Sequence, residues 1–462
     1  VAAVAEIVTI ETPSLGDRSY LATDGSVALV IDPQRDFDRV IAQAEARGAR
    51  ITHVFETHIH NDYVTGGLAL ARETGAAYHV NGADQVSFDR VPVTDGDQLK
   101  IGDLTLRVIA TPGHTFHHLS YALEHDGEVT AVFTGGSLLN GSTGRTDLLG
   151  QQHSAELARA QHASARRLAA ELPAAAMVYA THGFGSFCSA APTSGAASTI
   201  GTELNSNPAL ILSEADYVAT TLAGLDLYPS YYVHMAPANS GGPLAPDLAP
   251  PRPAEAGELR RRIDAGEWVV DLRSRVAFAA GHLRGALQFE LSDSMATYLG
   301  WMIPWGAPLT LIGPDPEAVA AAQRDLVRIG IERVTAAATG EPAQWAGDEP
   351  LSSYPILDFA SYSTAAQAAD EAGGPAVVLL DVRRDSEWKT ARIDGAVHIP
   401  LHELGARIGQ IPAGQIWVHC MSGYRASVAA SMLDAAGRDV VLINDHFAVA
   451  RRSGLATIEQ GA

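Results

Sequence analysis

At 462 residues the chain is too long for one ordinary hydrophobic core, and its length predicts two to four domains. Apolar residues make up 47%, a globular composition. The 53 acidic against 32 basic residues leave a formal charge of −21 with no basic stripe able to track phosphates, which argues against nucleic acid or an anionic membrane as partner.

Only two cysteines occur, Cys188 and Cys420, too few for a disulfide framework and suited to a reducing compartment. No apolar run reaches bilayer length, and the amino terminus lacks the basic-then-apolar signal-peptide pattern, so a cytoplasmic location is expected.

In chain order, the residues from Val27 to Ile31 predict a strand. An amphipathic stretch from Asp36 to a stop at Gly48 predicts a helix, and Ile51 to Phe55 a second strand. Two hairpins are expected, turning at Gly102-Asp103 and at Asp126-Gly127. Helices alternating with short strands imply layered α/β structure over residues 1–240.

Within this region lies Thr57-His58-Ile59-His60-Asn61-Asp62-Tyr63, where alternate residues of an extended loop aim two imidazoles towards one point beside a carboxylate. His114 follows the apparent strand Leu104 to Ala110, and His182 follows Met177 to Ala180. All four histidines sit just past strand ends, where an open α/β sheet presents its chemistry. His117, His118, His125 and His153 lack that placement and read as ordinary, His118 being the most arguable. Cys188 reads as structural.

Pro, Ala and Gly dominate from Ala236 to Gly257 and predict a linker, bounded as 241–256. Beyond it, VVDLRSRVAFAAGHLRGA aligns with LLDVRRDSEWKTARIDGA at an offset of 110 residues. Asp271 and Asp381 close apolar strands, with Gly285 and Gly395 fourteen residues further on. Two copies of one α/β domain are expected, over 257–350 and 354–462.

In the second copy, a strand from Gln415 to His419 runs into Cys420-Met421-Ser422-Gly423-Tyr424-Arg425, and a helix follows. A tight strand-to-helix loop turns backbone N–H groups inward and adds a helix amino end; both favour the thiolate that attack on a sulfane sulfur requires. Arg425 can bond an anionic donor or product. The first copy continues its strand into Gly313-Pro314-Asp315-Pro316 with no cysteine, which leaves it an interface or spacer role, with Asp271 and His282 structural.

The Cys420–Arg425 loop, with its upstream Asp-Val-Arg and Gly-Ala landmarks, resembles the rhodanese family over roughly residues 354–460. That resemblance implies that Cys420 is the nucleophile and becomes a persulfide, with Gly423 and Arg425 in the substrate loop.

The ordered series of the His58 motif, Pro112-Gly113-His114-Thr115, Phe133-Thr134-Gly135, Gly144-Arg145-Thr146-Asp147 and Thr181-His182 resembles the metallo-β-lactamase fold. It implies an αββα sandwich followed by two rhodanese-like α/β domains with central parallel sheets. The Gly144–Asp147 segment and the fused modules resemble the persulfide dioxygenase branch. By that resemblance one iron(II) would bind a thiol persulfide with O₂ and release sulfite, and His58 and His114 are histidine ligands.

Where the family has aspartate after Thr-Gly this chain has Gly136, and Tyr63 replaces a histidine found in many members. One metal on His58, His60 and His114, iron or zinc, is the arrangement left, with Asp62 and His182 available to a second ion. Arg145 is the candidate to orient an anionic thiol, and Tyr63 to face bound oxygen or fill the pocket. Thiosulfate or sulfite would be further small-molecule partners, and a homodimer is compatible with the sequence. A zinc thioesterase of the glyoxalase II kind and a metal-impaired thiol-binding module are the competing readings.

Overall fold

Strict alternation along the amino-terminal strands produces two apolar faces per sheet, and both are covered. The structure, a computed structural model, describes residues 5–193, 195, 197–372 and 377–458. It divides into two compact units, one running to Asp247 and including Arg324–Glu332, the other comprising Leu248–Gln323 and continuing from Arg333.

In the first unit one six-stranded sheet is ordered Glu6–Thr12, Asp17–Thr23, Val27–Ile31, Arg50–Phe55, Ala77–Asn81, Val91–Val93. The other is ordered Ser198–Thr199, Met177–Ala180, Glu128–Gly135, Leu119–His125, Leu104–Ala110, Gln98–Ile101. Tyr20, Leu29, Ile31 and Phe55 of the first meet Leu106, Val108, Tyr121 and Phe133 of the second in one buried core.

Their chain neighbours point the other way. Leu21, Val30 and Val54 pack on helix residues Val40, Ala44 and Leu70, while Ile109, Ala122 and Val132 pack on Ala165, Leu168 and Ile200. The period of two thus dictates a helix–sheet–sheet–helix sandwich, each buried Leu, Ile or Phe contributing about 1.5–3 kcal/mol.

The expected local elements are present. The helix Asp38–Glu45 ends before Gly48, and both hairpins turn where anticipated. In the second hairpin Asp126 and Gly127 have φ of +52° and +79°, the left-handed pair that a two-residue turn matching strand twist requires.

The Pro-, Ala- and Gly-rich composition begins inside a helix, ahead of the bounded linker 241–256. Ala236 to Gly241 is not linker but the end of the helix Tyr232–Gly241, with Pro237 inside it. The compositional signal misled because the buried Asn239, described below, fixes this segment by tertiary hydrogen bonds. From Gly242 to Glu255 no helix or extended strand forms.

The second unit holds two parallel sheets. Four strands run in the order Leu287–Gln288, Trp268–Asp271, Leu309–Gly313, Val334–Thr339. Five run Ile356–Leu357, Val440–Ile443, Gln415–His419, Val377–Asp381, Val397–His398. Leu309–Gly313 is buried throughout, as a central parallel strand covered on both faces must be.

At the aligned positions the two sheets share local geometry. Arg273 donates through Nε and Nη2 to Asp271 (3.0 and 2.6 Å), and Arg383 does the same to Asp381 (3.0 and 2.6 Å). Gly285 and Gly395 adopt φ of +83° and +80°. Among the described residues no helix is long and apolar enough to cross a membrane.

Candidate functional site

Strands of both sheets end at one edge of the sandwich, and the histidines stand on the loops there. His58, His114 and His182 form a near-regular triangle, with ring centroids 4.8, 5.2 and 5.2 Å apart. In each ring one nitrogen is fixed by the protein. His58 Nδ1 lies 2.9 Å from Thr57 Oγ1, His114 Nδ1 2.8 Å from the Arg145 carbonyl, and His182 Nδ1 3.0 Å from Asp17 and 3.1 Å from Asp62.

The other nitrogens are left for the centre. His58 Nε2 faces His182 Nε2 at 3.3 Å, and His114 Nε2 is buried without a partner. One nitrogen tethered and one free is how a protein presents imidazole to a metal.

Burial lowers His58 well below the usual imidazole range, helped by the neighbouring histidines. It also brings His114 down to about 3. Both are therefore neutral, ligand-competent imidazoles. Burial opposes charge on His182 too, but Asp62 and Asp17 together hold it well above its ordinary value.

His60 departs from the expected three-histidine face. Its Nε2 is spent on Glu56 (3.1 Å) and Asp32 (3.2 Å) and lies 3.1 Å from the Tyr63 hydroxyl. Burial works against charge on His60, yet the two carboxylates outweigh it and hold the imidazole up at about 9. Only its Nδ1 remains towards the cluster it forms with His58 and His182. His60 therefore keeps one donor for the same centre, grouped with His58 and His182, while the rings of His58, His114 and His182 make the triangle.

The loop carrying these residues is built from long-range partners. Asp32, itself at φ +50°, accepts from Thr57 N–H and Oγ1 (both 2.7 Å) and Thr181 Oγ1 (2.5 Å). Asn239 donates to the carbonyls of His60 (2.9 Å) and Tyr63 (2.8 Å) and accepts from Thr65 N–H (2.9 Å). Asp17, Asp32, Glu56 and Asn239 are the residues that reading the sequence missed. Single acids and amides outside any motif give no signal.

Arg145 takes an anchoring geometry. Its Nε and Nη2 pair with Asp147 (2.7 and 2.8 Å), and further donors reach the carbonyls of Phe187 (3.0 Å) and Asp226 (2.6 Å). Four of the five N–H donors of this buried guanidinium are thereby taken up inside the protein. Tyr63 is fully buried and fills the space beside His60.

Gly136 leaves room for the His114 ring. A Cβ there would lie 2.3 Å from His114 Cδ2, so the imidazole occupies the volume that a side chain would need. The carboxylate that the resemblance implies at this position is absent, which leaves His58, His60, His114, His182, Asp62 and Cys188 among the donors present. His118, beside this loop, accepts from the Gly136 N–H (3.0 Å), consistent with an ordinary structural histidine. Cys188, fully buried, groups with His114 and His182, a placement that its reading as merely structural did not anticipate.

In the second unit Cys420 closes the buried strand Gln415–His419, and the helix Tyr424–Ala435 begins four residues later. Gly423, at φ +96°, donates its N–H to Cys420 Sγ at 3.2 Å. A Cβ at 423 would lie 2.3 Å from Asn444 Oδ1, so both conformation and space demand glycine.

Arg425 is bidentate to Glu387 (2.5 and 2.8 Å). Burial alone would raise the Glu387 carboxyl, but the Arg425 bonds and charge hold it down to about 2. Tyr298 stands with its ring 5.7 Å from that of Tyr424.

Residues 18–182 match the metallo-beta-lactamase superfamily, and residues 364–449 match the rhodanese-like domain. Fold and site together define a multidomain α/β protein, a metallo-β-lactamase domain followed by a rhodanese-like domain.

Among characterised proteins, it is 34% identical to the hydroxyacylglutathione hydrolase of Polaromonas sp. over 161 residues, covering 34% of this chain and 57% of that one. It is 38% identical to the enzyme of the same name from Rhizobium johnstonii over 116 residues, covering 22% and 45%. The chain spans about half the length of these curated relatives.

A solved metallo-beta-lactamase from Staphylococcus aureus subsp. aureus COL superposes with TM-score 0.65 at 26% identity, over 73% of this chain and all of that one. ETHE1 from Myxococcus xanthus aligns with TM-score 0.44 at 28% identity, over 51% of this chain and 98% of that one.

Proposed function

We propose that the chain is an enzyme of sulfur metabolism. Cys420 transfers sulfane sulfur, and the amino-terminal domain, with iron(II) on its histidine cluster, would convert a low-molecular-weight thiol persulfide, O₂ and water to the free thiol and sulfite. One observation carries the transfer half: a cysteine at a strand-to-helix loop with a backbone N–H aimed at its sulfur, within a domain matching the rhodanese-like family.

In transfer, the Cys420 sulfur attacks the outer sulfur of thiosulfate. The S–S bond breaks, sulfite leaves with the electron pair, and Cys420 carries a persulfide. An acceptor thiolate or cyanide then takes the outer sulfur and restores the cysteine. The Gly423 N–H, 3.2 Å from the Cys420 sulfur, would stabilise the anionic persulfide, and Glu387 holds Arg425 as a positioning partner.

The four-stranded sheet is proposed as a cysteine-free copy of the same domain, supported by the duplicated Asp271–Arg273 and Asp381–Arg383 pairs. The small-molecule partners proposed are a thiol persulfide, thiosulfate and sulfite, in the cytoplasm.

Thiosulfate-to-cyanide transfer should vanish in Cys420→Ser with the fold intact; undiminished transfer would reject that half. Oxygen uptake should require both added glutathione persulfide and iron, and iron-loaded protein that consumes no oxygen would reject the other. The hydroxyacylglutathione hydrolase relatives favour a second reading, zinc-dependent thioester hydrolysis. Gly136 weighs against it, since two-metal hydrolysis relies on a carboxylate between the ions. Thioesterase turnover stimulated by zinc and not by iron would establish it.

A further inference from the structure

With glycine at 136, the carboxylate that the resemblance implies there is absent, and the acids that remain, Asp17 and Asp62, stand on the Nδ1 side of His182 at 3.0 and 3.1 Å. The structure offers a replacement. Donor atoms of His114, His182 and Cys188 all lie within 4.8 Å of one another, and all three residues are buried.

Imidazole binds zinc at about 2.0–2.1 Å and thiolate at about 2.3 Å, so tetrahedral donors stand about 3.3–3.8 Å apart. Side-chain shifts of about 1 Å would close the cluster on one ion.

The thiol is delivered by strained backbone. Gly183, Phe184 and Gly185 have φ of +128°, +50° and +102° in succession. They fold the chain back after His182, so that a residue six positions further on returns to the same centre. A phenylalanine in the left-handed region costs of order 1–3 kcal/mol and persists only when its surroundings impose it.

Here they do. Arg145 donates its backbone N–H to the Cys188 carbonyl (2.8 Å) and its Nη1 to the Phe187 carbonyl (3.0 Å), and the Arg18 guanidinium lies 3.6 Å over the Phe184 ring. The Arg145 carbonyl also fixes His114 Nδ1, leaving His114 Nε2 buried without a partner. One residue therefore positions two of the three donors.

We propose that Cys188 is a metal ligand, and that His114, His182 and the Cys188 thiolate form an N₂S face for a single divalent cation in place of the carboxylate that Gly136 cannot supply. This rests on the reading that the amino-terminal domain binds a metal, and it assigns the anionic donor. Thiolate donation favours zinc and other borderline or soft cations over a purely oxygen-seeking ion.

The test uses the full chain carrying Cys420→Ser, so that Cys188 is its only thiol, titrated with cobalt(II) and followed by absorption. A thiolate-to-cobalt charge-transfer band in the near ultraviolet should accompany one bound ion. Cys188→Ser in the same background should lose that band and weaken cobalt binding by more than the roughly 10–100-fold that an outer-shell change costs.

Thermal unfolding of the metal-free variant checks that it folds, and Cys188→Ala gives a second variant if serine perturbs the core. Cobalt bound without a charge-transfer band, or a band that survives in Cys188→Ser, overturns the assignment and leaves the metal-binding reading standing. No cobalt bound to folded protein overturns both.

Discussion

Asn239 shows how much one amide can hold. Its three bonds serve two carbonyls and one N–H of the histidine loop, none of which has access to water. Asn239→Ala should cost about 1–3 kcal/mol for each group left unsatisfied, read as a lowered thermal midpoint. Asn239→Asp sets a buried carboxylate oxygen against the same two carbonyls and should lower the midpoint at least as far as alanine does.

Glu387 makes a complementary prediction about pH. Its carboxyl is held near 2 against an ordinary 4.5, so the Arg425 pair stabilises fully above about 4.5 and is lost as pH falls towards 2. The difference in thermal midpoint between the native chain and Glu387→Gln should be largest near neutral pH and shrink steadily below about pH 4.5. A difference independent of pH would deny the carboxylate this role.

At the scale of elements, two glycines mark where loop and neighbour are matched. Gly136→Ala sets a methyl 2.3 Å from the His114 ring. Displacing that ring should cost about 1–3 kcal/mol as an overpacked core does and weaken cobalt binding in the same titration. Gly423→Ala meets both a positive φ and Asn444. It should strain the loop by about 1–3 kcal/mol and sharply reduce thiosulfate-to-cyanide transfer, measured on protein whose circular dichroism is unchanged.

The strand ends carrying the histidines were legible because a strand's alternation and its stop lie within a few residues of each other. The helix Tyr232–Gly241 was not legible. Its Pro, Gly and Ala content reads as linker, and what makes it a helix is a buried partner far away in sequence.

For the whole molecule, the two candidate sites stand on separate scaffolds. The histidine triangle belongs to the αββα sandwich, and Cys420 to a parallel sheet in the other unit. Removing metal with a chelator should leave thiosulfate-to-cyanide transfer within about twofold of native. Cys420→Ser should leave the cobalt titration of the first unit unaltered. Loss of either function on impairing the other would reveal coupling between them.

Sequence by itself determined the alternation of strands and helices that implies layered α/β structure, the motif positions of His58, His114 and His182, the 110-residue offset between two similar segments and the Cys420 loop. All of these are encoded by residues adjacent in the chain or by a repeated local pattern. Tertiary structure alone decided that His60 turns to Asp32 and Glu56, that Asp17 and Asp62 flank His182, that Glu387 claims Arg425, and that Cys188 returns to His114. Those outcomes depend on burial, which makes every polar group find a partner, and on contacts such as Asn239 with His60 across 179 residues, a span over which local spacing carries no information.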